Sequence, residues 1–171
     1  SGVSARLTIS GYENLVSTAE RRSLINRESK TIARLTDFWG VVPAITGKVE
    51  LVYEGEQEGP YMVAINLLGK ALKKLFLDHF PDPDKLRKGR DRDPYGVIRA
   101  WFSGGNAVNL LNDMSDKDYR AALDGVAGLR KFVESSTEAQ GDELYTYMEL
   151  VLHGLAEFQV ISKDMLEAKL S

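Results

Sequence analysis

Cysteine is absent from this sequence, which excludes disulfide frameworks, zinc–thiolate centres and thiol nucleophiles together. Histidine occurs only at His79 and His153, so there is little material for a nucleophile–base pair. Neither sign of charge dominates: a formal net charge of -3 gives no support to a nucleic-acid or membrane-surface role. No apolar run approaches the roughly 20 residues of a membrane span, and no signal-peptide core is present. The phosphate-loop pattern GxxxxGK followed by Ser or Thr is also missing. The Gly-Lys pairs at Gly47 and Gly69 lack both the upstream glycine and the following hydroxyl. No GxGxxG occurs, and the Asp-Glu pair of GDEL has no apolar strand before it, so this chain alone is expected neither to bind nor to hydrolyse a nucleotide. These absences give the expectation of a cytoplasmic globular domain that is not itself an enzyme.

What is present is helical periodicity. With 171 residues, 43% of them hydrophobic and 27% charged, the chain can bury a core as one ordinary domain or two small ones. Ser10 and Glu13 have capping-box spacing ahead of an apolar stripe at Tyr12, Leu15, Val16 and Ala19. Thr36 and Asp37 can cap a second element through Phe38, Val41, Val42 and Ile45, which Pro43 kinks and Gly47 stops. KVELVYEGE alternates like a short strand. The strongest helix lies in GPYMVAINLLGKALKKLFLDHF, with Pro60 in a first helical position and Pro81 and Pro83 beyond its end. PDPDKLRKGRDRDP then changes the composition, and a linker is expected over 81–94.

Beyond that segment, YGVIRAWFSGG reads as a short helix or a strand closed by a Gly-Gly turn, and NAVNLLNDM reads as extended. Ser115 or Asp116 can cap a helix carrying Tyr119, Leu123 and Val126, a face that Leu129, Phe132 and Val133 are expected to continue. A last helix is expected from near Glu138 to Gln159, followed by a terminal turn. The overall expectation is a mainly α chain, a helical bundle with at most a short β segment.

The polar residues support bland readings first. His79, Asp82 and Asp84 are close in sequence, but intervening prolines spread them, and Leu86 and Lys88 occupy the ligand positions of a calcium loop, so no metal site is expected. Lys85, Arg87, Lys88, Arg90 and Arg92 are interleaved with aspartates, which makes a solvated loop rather than a nucleic-acid patch. Trp39, Trp101, Tyr145 and Tyr147 read as packing residues, and His153 as a hydrogen-bonded core or interface histidine. An exposed helix arginine is ordinarily a surface residue, and by composition alone Arg6, Arg21 and Arg22 are no more than that.

Their arrangement adds something. SGVSAR, then YENLVSTAERR, then ARLTDFWGVVPAITGKVELVYEGE, resembles the region after the ATPase core in magnesium-chelatase-subunit-I-like proteins of the AAA+ superfamily and their MoxR relatives. In that family a short Gly-x-Ser-x-Arg segment opens the helical lid and supplies the sensor-2 arginine. A helix capped by Thr or Ser-x-Asp, with a small and basic stop, follows it. The matching residues here are Gly2, Ser4 and Arg6, then Thr36 and Asp37, then Gly47 and Lys48. The segments VIRAWFSGGNAVNLLNDMSDKDYRAALDGVAGLRKFV and YMELVLHGLAEFQVISKD look like the helical tail of the chelatase-like branch. The stretch from Arg6 to Thr36 is longer than in the MoxR branch, and Ala5 stands where that branch often has Pro, so Arg21 and Arg22 stay open beside Arg6 for the sensor role.

The resemblance implies an AAA+ lid-like helical domain over 1–80, the 81–94 linker, and an additional C-terminal helical part over 95–171, packed on the first part or separate from it. It implies a non-catalytic lid and tail that close over ATP held by the protein's own AAA+ core, with ATP and Mg2+ belonging to that parent protein. Implied partners are neighbouring subunits of a ring and a von Willebrand A-domain protein. A rival expectation is a free-standing helical protein-interaction module.

Overall fold

A computed structural model describes residues 34, 60–86, 92–110 and 114–166. The described residues form six α-helices and one 3-10 turn, with no strand and no sheet. In chain order they are α1 (Pro60–His79), α2 (Pro83–Leu86), α3 (Gly96–Ser103), α4 (Asp116–Asp124), α5 (Leu129–Ser136) and α6 (Asp142–Glu157), followed by the turn Lys163–Met165. The chain is a mainly helical bundle, as the periodicity predicts. KVELVYEGE, and the elements expected around Ser10 and Thr36, lie outside the described residues.

The bundle is built around α6. Every residue from 148 to 156 is buried, Glu149 and His153 included. A helix that is covered on all sides is the centre of a core rather than its rim. Helices α1, α4 and α5 and the terminal turn pack against it. The most extensive contact is with α1. A Cβ at Gly154 would lie 2.3 Å from Phe76 Cδ2, so the absence of a side chain there leaves room for the Phe76 ring against the α6 backbone. Phe76 has no exposed surface, and its ring is tilted against Phe80, Tyr95 and Phe158 with centroids 5.4, 6.0 and 5.5 Å away. Tilted aromatic clusters of this kind add to the area they bury.

The helix ends follow local chemistry. Helix α1 starts at Pro60 and stops at His79, two residues short of Pro81. Ser115 is the cap of α4, its Oγ accepting the Asp118 amide at 3.1 Å, while Asp116 and Asp118 place negative charge in the first turn. The face expected to run on through Leu129 is interrupted after Asp124. Gly128 is left-handed (φ 79), and a Cβ on it would sit 2.7 Å from Val97 Cγ1, so contact with α3 bends the chain into two helices.

Helix α6 begins at Asp142 rather than near Glu138, because Gly141 has φ 60 and Thr137 is extended. It ends in a Schellman-type cap. The Val160 amide donates to Leu155 O at 2.9 Å and the Gln159 amide to Ala156 O at 3.0 Å, with Gln159 at φ 58 in the position glycine usually takes. YGVIRAWFSGG resolves as a helix with a turn through Gly105, and residues 106–110 are non-helical. Val108 forms a lone parallel bridge with Leu166, its amide donating to Met165 O at 2.9 Å.

The described part of the 81–94 segment is tied to the bundle. Pro83 is buried in α2, Asp82 Oδ1 accepts the Asp84 amide at 2.9 Å, and the Tyr95 hydroxyl donates to Pro81 O at 2.6 Å. Burial, with Asp93 and Asp82 nearby, raises the Tyr95 phenol pKa well above its ordinary value, so it remains a donor.

Candidate functional site

The arginines with a candidate phosphate role, Arg6, Arg21 and Arg22, lie outside the described residues, as do Gly2, Ser4, Thr36, Asp37, Gly47 and Lys48. One residue of the family-like segment ARLTDFWG is described, and it is seated in the tail. Arg34 is 1% exposed. Its Nη1 donates to Met114 O at 2.8 Å, and its Nη2 donates to Asp116 Oδ1 at 2.5 Å, across 80 and 82 residues of chain. The guanidinium carbon lies 4.4 Å from the centroid of the Tyr119 ring. The fork of one planar cation thus holds the carbonyl before a helix and a carboxylate in its first turn, and its face rests on an aromatic ring one turn further on. Sequence reasoning passed over Arg34. The available signal was a charged residue between the apolar Ile32, Ala33 and Leu35.

A second polar group lies where α4, α5 and α6 meet. The Tyr145 hydroxyl donates to Asp124 Oδ2 at 2.7 Å and accepts from Arg130 Nη2 at 2.5 Å. Arg130 also binds Asp124 at 3.0 Å and Glu134 at 3.2 Å, and Arg120 binds Asp142 at 2.6 Å. Burial and then the Asp124 hydrogen bond raise the Tyr145 pKa, and the Asp124 hydrogen bond keeps Arg130 charged. An open cleft of about 650 Å3 beside this group is lined by Arg130, Glu134, Glu138 and Leu144. Its arginine is already bonded to two carboxylates and a phenol, so the cleft is not an anion site. Tyr145, expected as a packing residue, is buried but uses its hydroxyl to order this network.

The remaining candidates have structural surroundings. His153 is buried, its Nε2 is 3.7 Å from Glu149 Oε1 and has no hydrogen-bond partner among the described residues, and burial pushes its pKa down to about 4. It is a neutral core histidine without the expected hydrogen bond at that nitrogen. The His79 ring packs edge-on against Tyr147 at 4.9 Å, and Trp101 packs edge-on against Phe102 at the same distance. Among the described residues no group of three His, Asp or Glu side chains is placed to hold a metal ion. No helix among them is long and apolar enough to cross a membrane. Lys85 and Arg92 of the basic cluster are exposed; Arg87, Lys88 and Arg90 lie outside the described residues.

No protein-family model, curated protein or solved structure matches this chain.

Proposed function

We propose that this chain is the C-terminal lid and tail region of a chelatase-like AAA+ ATPase, with no reaction centre of its own. The observation that carries the proposal is the order SGVSAR, YENLVSTAERR and ARLTDFWGVVPAITGKVELVYEGE in a sequence that lacks a phosphate loop. The helical bundle is compatible with that role, and Arg34, one residue of the family-like segment, is bonded to Met114 and Asp116 of the tail.

In this reading the lid closes over ATP bound by a core outside the present sequence, where magnesium is also held. Arg6 offers a guanidinium to the terminal phosphate. Arginine suits the task because it stays charged and presents a planar fork of donors to phosphate oxygens. Its charge offsets what accumulates on those oxygens as the phosphoryl group transfers. When the phosphate leaves, the contact weakens and the lid rotates on a glycine-containing lead such as SGVS. The tail mediates contacts with neighbouring ring subunits and with a partner, for which a von Willebrand A-domain protein is the candidate.

The test uses the intact protein. Arg6→Ala should lower ATPase turnover by roughly 100-fold, the scale set by losing one donor to a developing anion, with thermal stability unchanged. If Arg21→Ala or Arg22→Ala has that effect instead, the sensor role moves to that arginine. Unchanged turnover in all three variants removes the lid reading. A second reading, a free-standing helical interaction module, draws on the exposed Met62, Leu67, Leu75 and Leu77 of α1. The reading frame upstream separates the two: an ATPase core with both nucleotide-binding motifs supports the lid, and a start codon directly before Ser1 supports the module.

A further inference from the structure

We propose that the groove between α3 and α5 docks an extended acidic segment of a partner protein, one in which carboxylate side chains flank an apolar residue. The groove serves in this way whether or not the chain is the lid of an ATPase.

The groove has a volume of about 610 Å3, a size that ordinary ligand sites take. Its apolar wall is formed by Pro81, Pro94, Val97 and Phe132. Val97 is 63% exposed, against 49% for Met62 of α1. It is held in that open position, because its Cβ and Cγ1 pack on Gly128, where an added Cβ would lie 3.0 and 2.7 Å from them. A single exposed valine would mean little, but Pro81 and Pro94 are exposed beside it and polar residues rim the patch. The walls are also preformed. The Tyr95 hydroxyl donates to Pro81 O at 2.6 Å, and the Tyr95 ring lies 5.0 Å from that of Phe132. A groove already in shape spares its ligand part of the ordering cost.

Charge selects the occupant. Arg92 and Lys131 line the groove, both exposed, and neither has an ion-pair partner among the described residues. Asp93, the acidic residue of the lining, is bonded to Arg99 and accepts the Tyr95 amide at 3.0 Å. The groove is therefore locally positive on a chain whose formal net charge is -3, and it complements carboxylates. Arg130 in the other cleft is instead taken up by Asp124 and Glu134.

The serines distinguish a peptide from a phosphate. Ser135 and Ser136 each donate to Phe132 O at 2.8 Å, which leaves their oxygens as acceptors. A phosphate group brings mainly acceptors and gains nothing there, whereas the amides of an extended peptide can donate to them. Lys131 stands in the first turn of α5 and the serines in its last, so a chain laid along α5 can meet both. Cations on separate flexible side chains suit acidic side chains, since a terminal carboxylate is usually captured by backbone amides.

The experiment selects a random hexapeptide library on the full chain. Recovered sequences, synthesised as acetylated amides so that no terminal carboxylate remains, are measured by fluorescence anisotropy. They should share Asp or Glu beside an apolar residue. Arg92→Glu combined with Lys131→Glu should weaken their binding about tenfold, the scale of two exposed ion pairs, and Val97→Ser about threefold. These exposed positions should leave the melting temperature unchanged. Failure to recover any shared sequence, a shared sequence without carboxylates, or binding that ignores the double variant would overturn the proposal. So would displacement by inorganic phosphate beyond that of sodium chloride at equal ionic strength, which would make the groove a phosphate site. A dimer in sedimentation that the double variant dissociates would give the face to a second copy and overturn it as well.

Discussion

Gly154→Ala is a small substitution with an outcome that two physical effects dispute. An alanine in the interior of a helix is favoured over glycine by about 1 kcal/mol, so propensity alone predicts a more stable protein. The geometry predicts the opposite. The new methyl would lie 2.3 Å from Phe76 Cδ2 and 2.7 Å from Cγ, well inside van der Waals contact. Phe76 has no exposed surface and is hemmed in by three aromatic rings, so it cannot swing aside. Helices α1 and α6 must separate instead, and prising that seam open carries an overpacking cost of about 1–3 kcal/mol.

Two ångström-scale clashes on an immobile ring place Gly154→Ala at the upper end of that range. The net expectation is a destabilisation of about 2 kcal/mol, or roughly 4–8 °C in melting temperature for a chain of this size. The assay is urea denaturation followed by far-ultraviolet circular dichroism, with Phe76→Leu and the double variant completing a cycle. Phe76→Leu makes room for the methyl, so Gly154→Ala should cost less in that background than in the wild type. A single variant more stable than the wild type, or strictly additive energies in the double variant, would refute the claim that Phe76 dictates the glycine.

Two further predictions concern the same helix. The unfolded histidine takes up its proton near 6.5 and buried His153 near 4, so the unfolded chain binds the extra proton between those values. The associated stability is therefore complete above about 6.5 and lost as pH falls toward 4. Stability at pH 5 should lie about 2 kcal/mol below that at pH 7 from this group, a difference that His153→Gln removes; an NMR titration of the ring with a midpoint at or above 6.5 would contradict the burial argument. Gln159→Gly relieves a left-handed backbone at the Schellman cap and should raise stability by about 0.5–1 kcal/mol in the same denaturation assay; a loss of stability would mean that the glutamine side chain matters more than its φ.

The parts of the fold that were legible are those set by neighbours in sequence. Pro60, the apolar stripe behind it and Pro81 delimit α1, and Ser115 announces α4, because capping and proline geometry act over a single turn. The break at Gly128 was not legible, since the Val97 side chain that accompanies it comes from another helix. The late start of α6 was hidden for a related reason: Gly141 adopts φ 60, and nothing in GDEL distinguishes a helix cap from a helix interior. In the sites, the burial of His153 is legible because it stands in an apolar run, whereas the expected hydrogen bond at its Nε2 is not found among the described residues. The reach of Arg34 across 80 residues depends on the tertiary fold and leaves only a weak local trace, a lone charge among apolar neighbours.

The bridge between Val108 and Leu166 sets a boundary for anyone shortening the chain. A truncation at Glu157 would keep the six described helices on paper. It would nonetheless strip Phe158, Ile161 and Leu166 from the core, remove the cap that finishes α6, and leave the Val108 amide without Met165 O. Any shortening therefore has to keep the chain through Leu166.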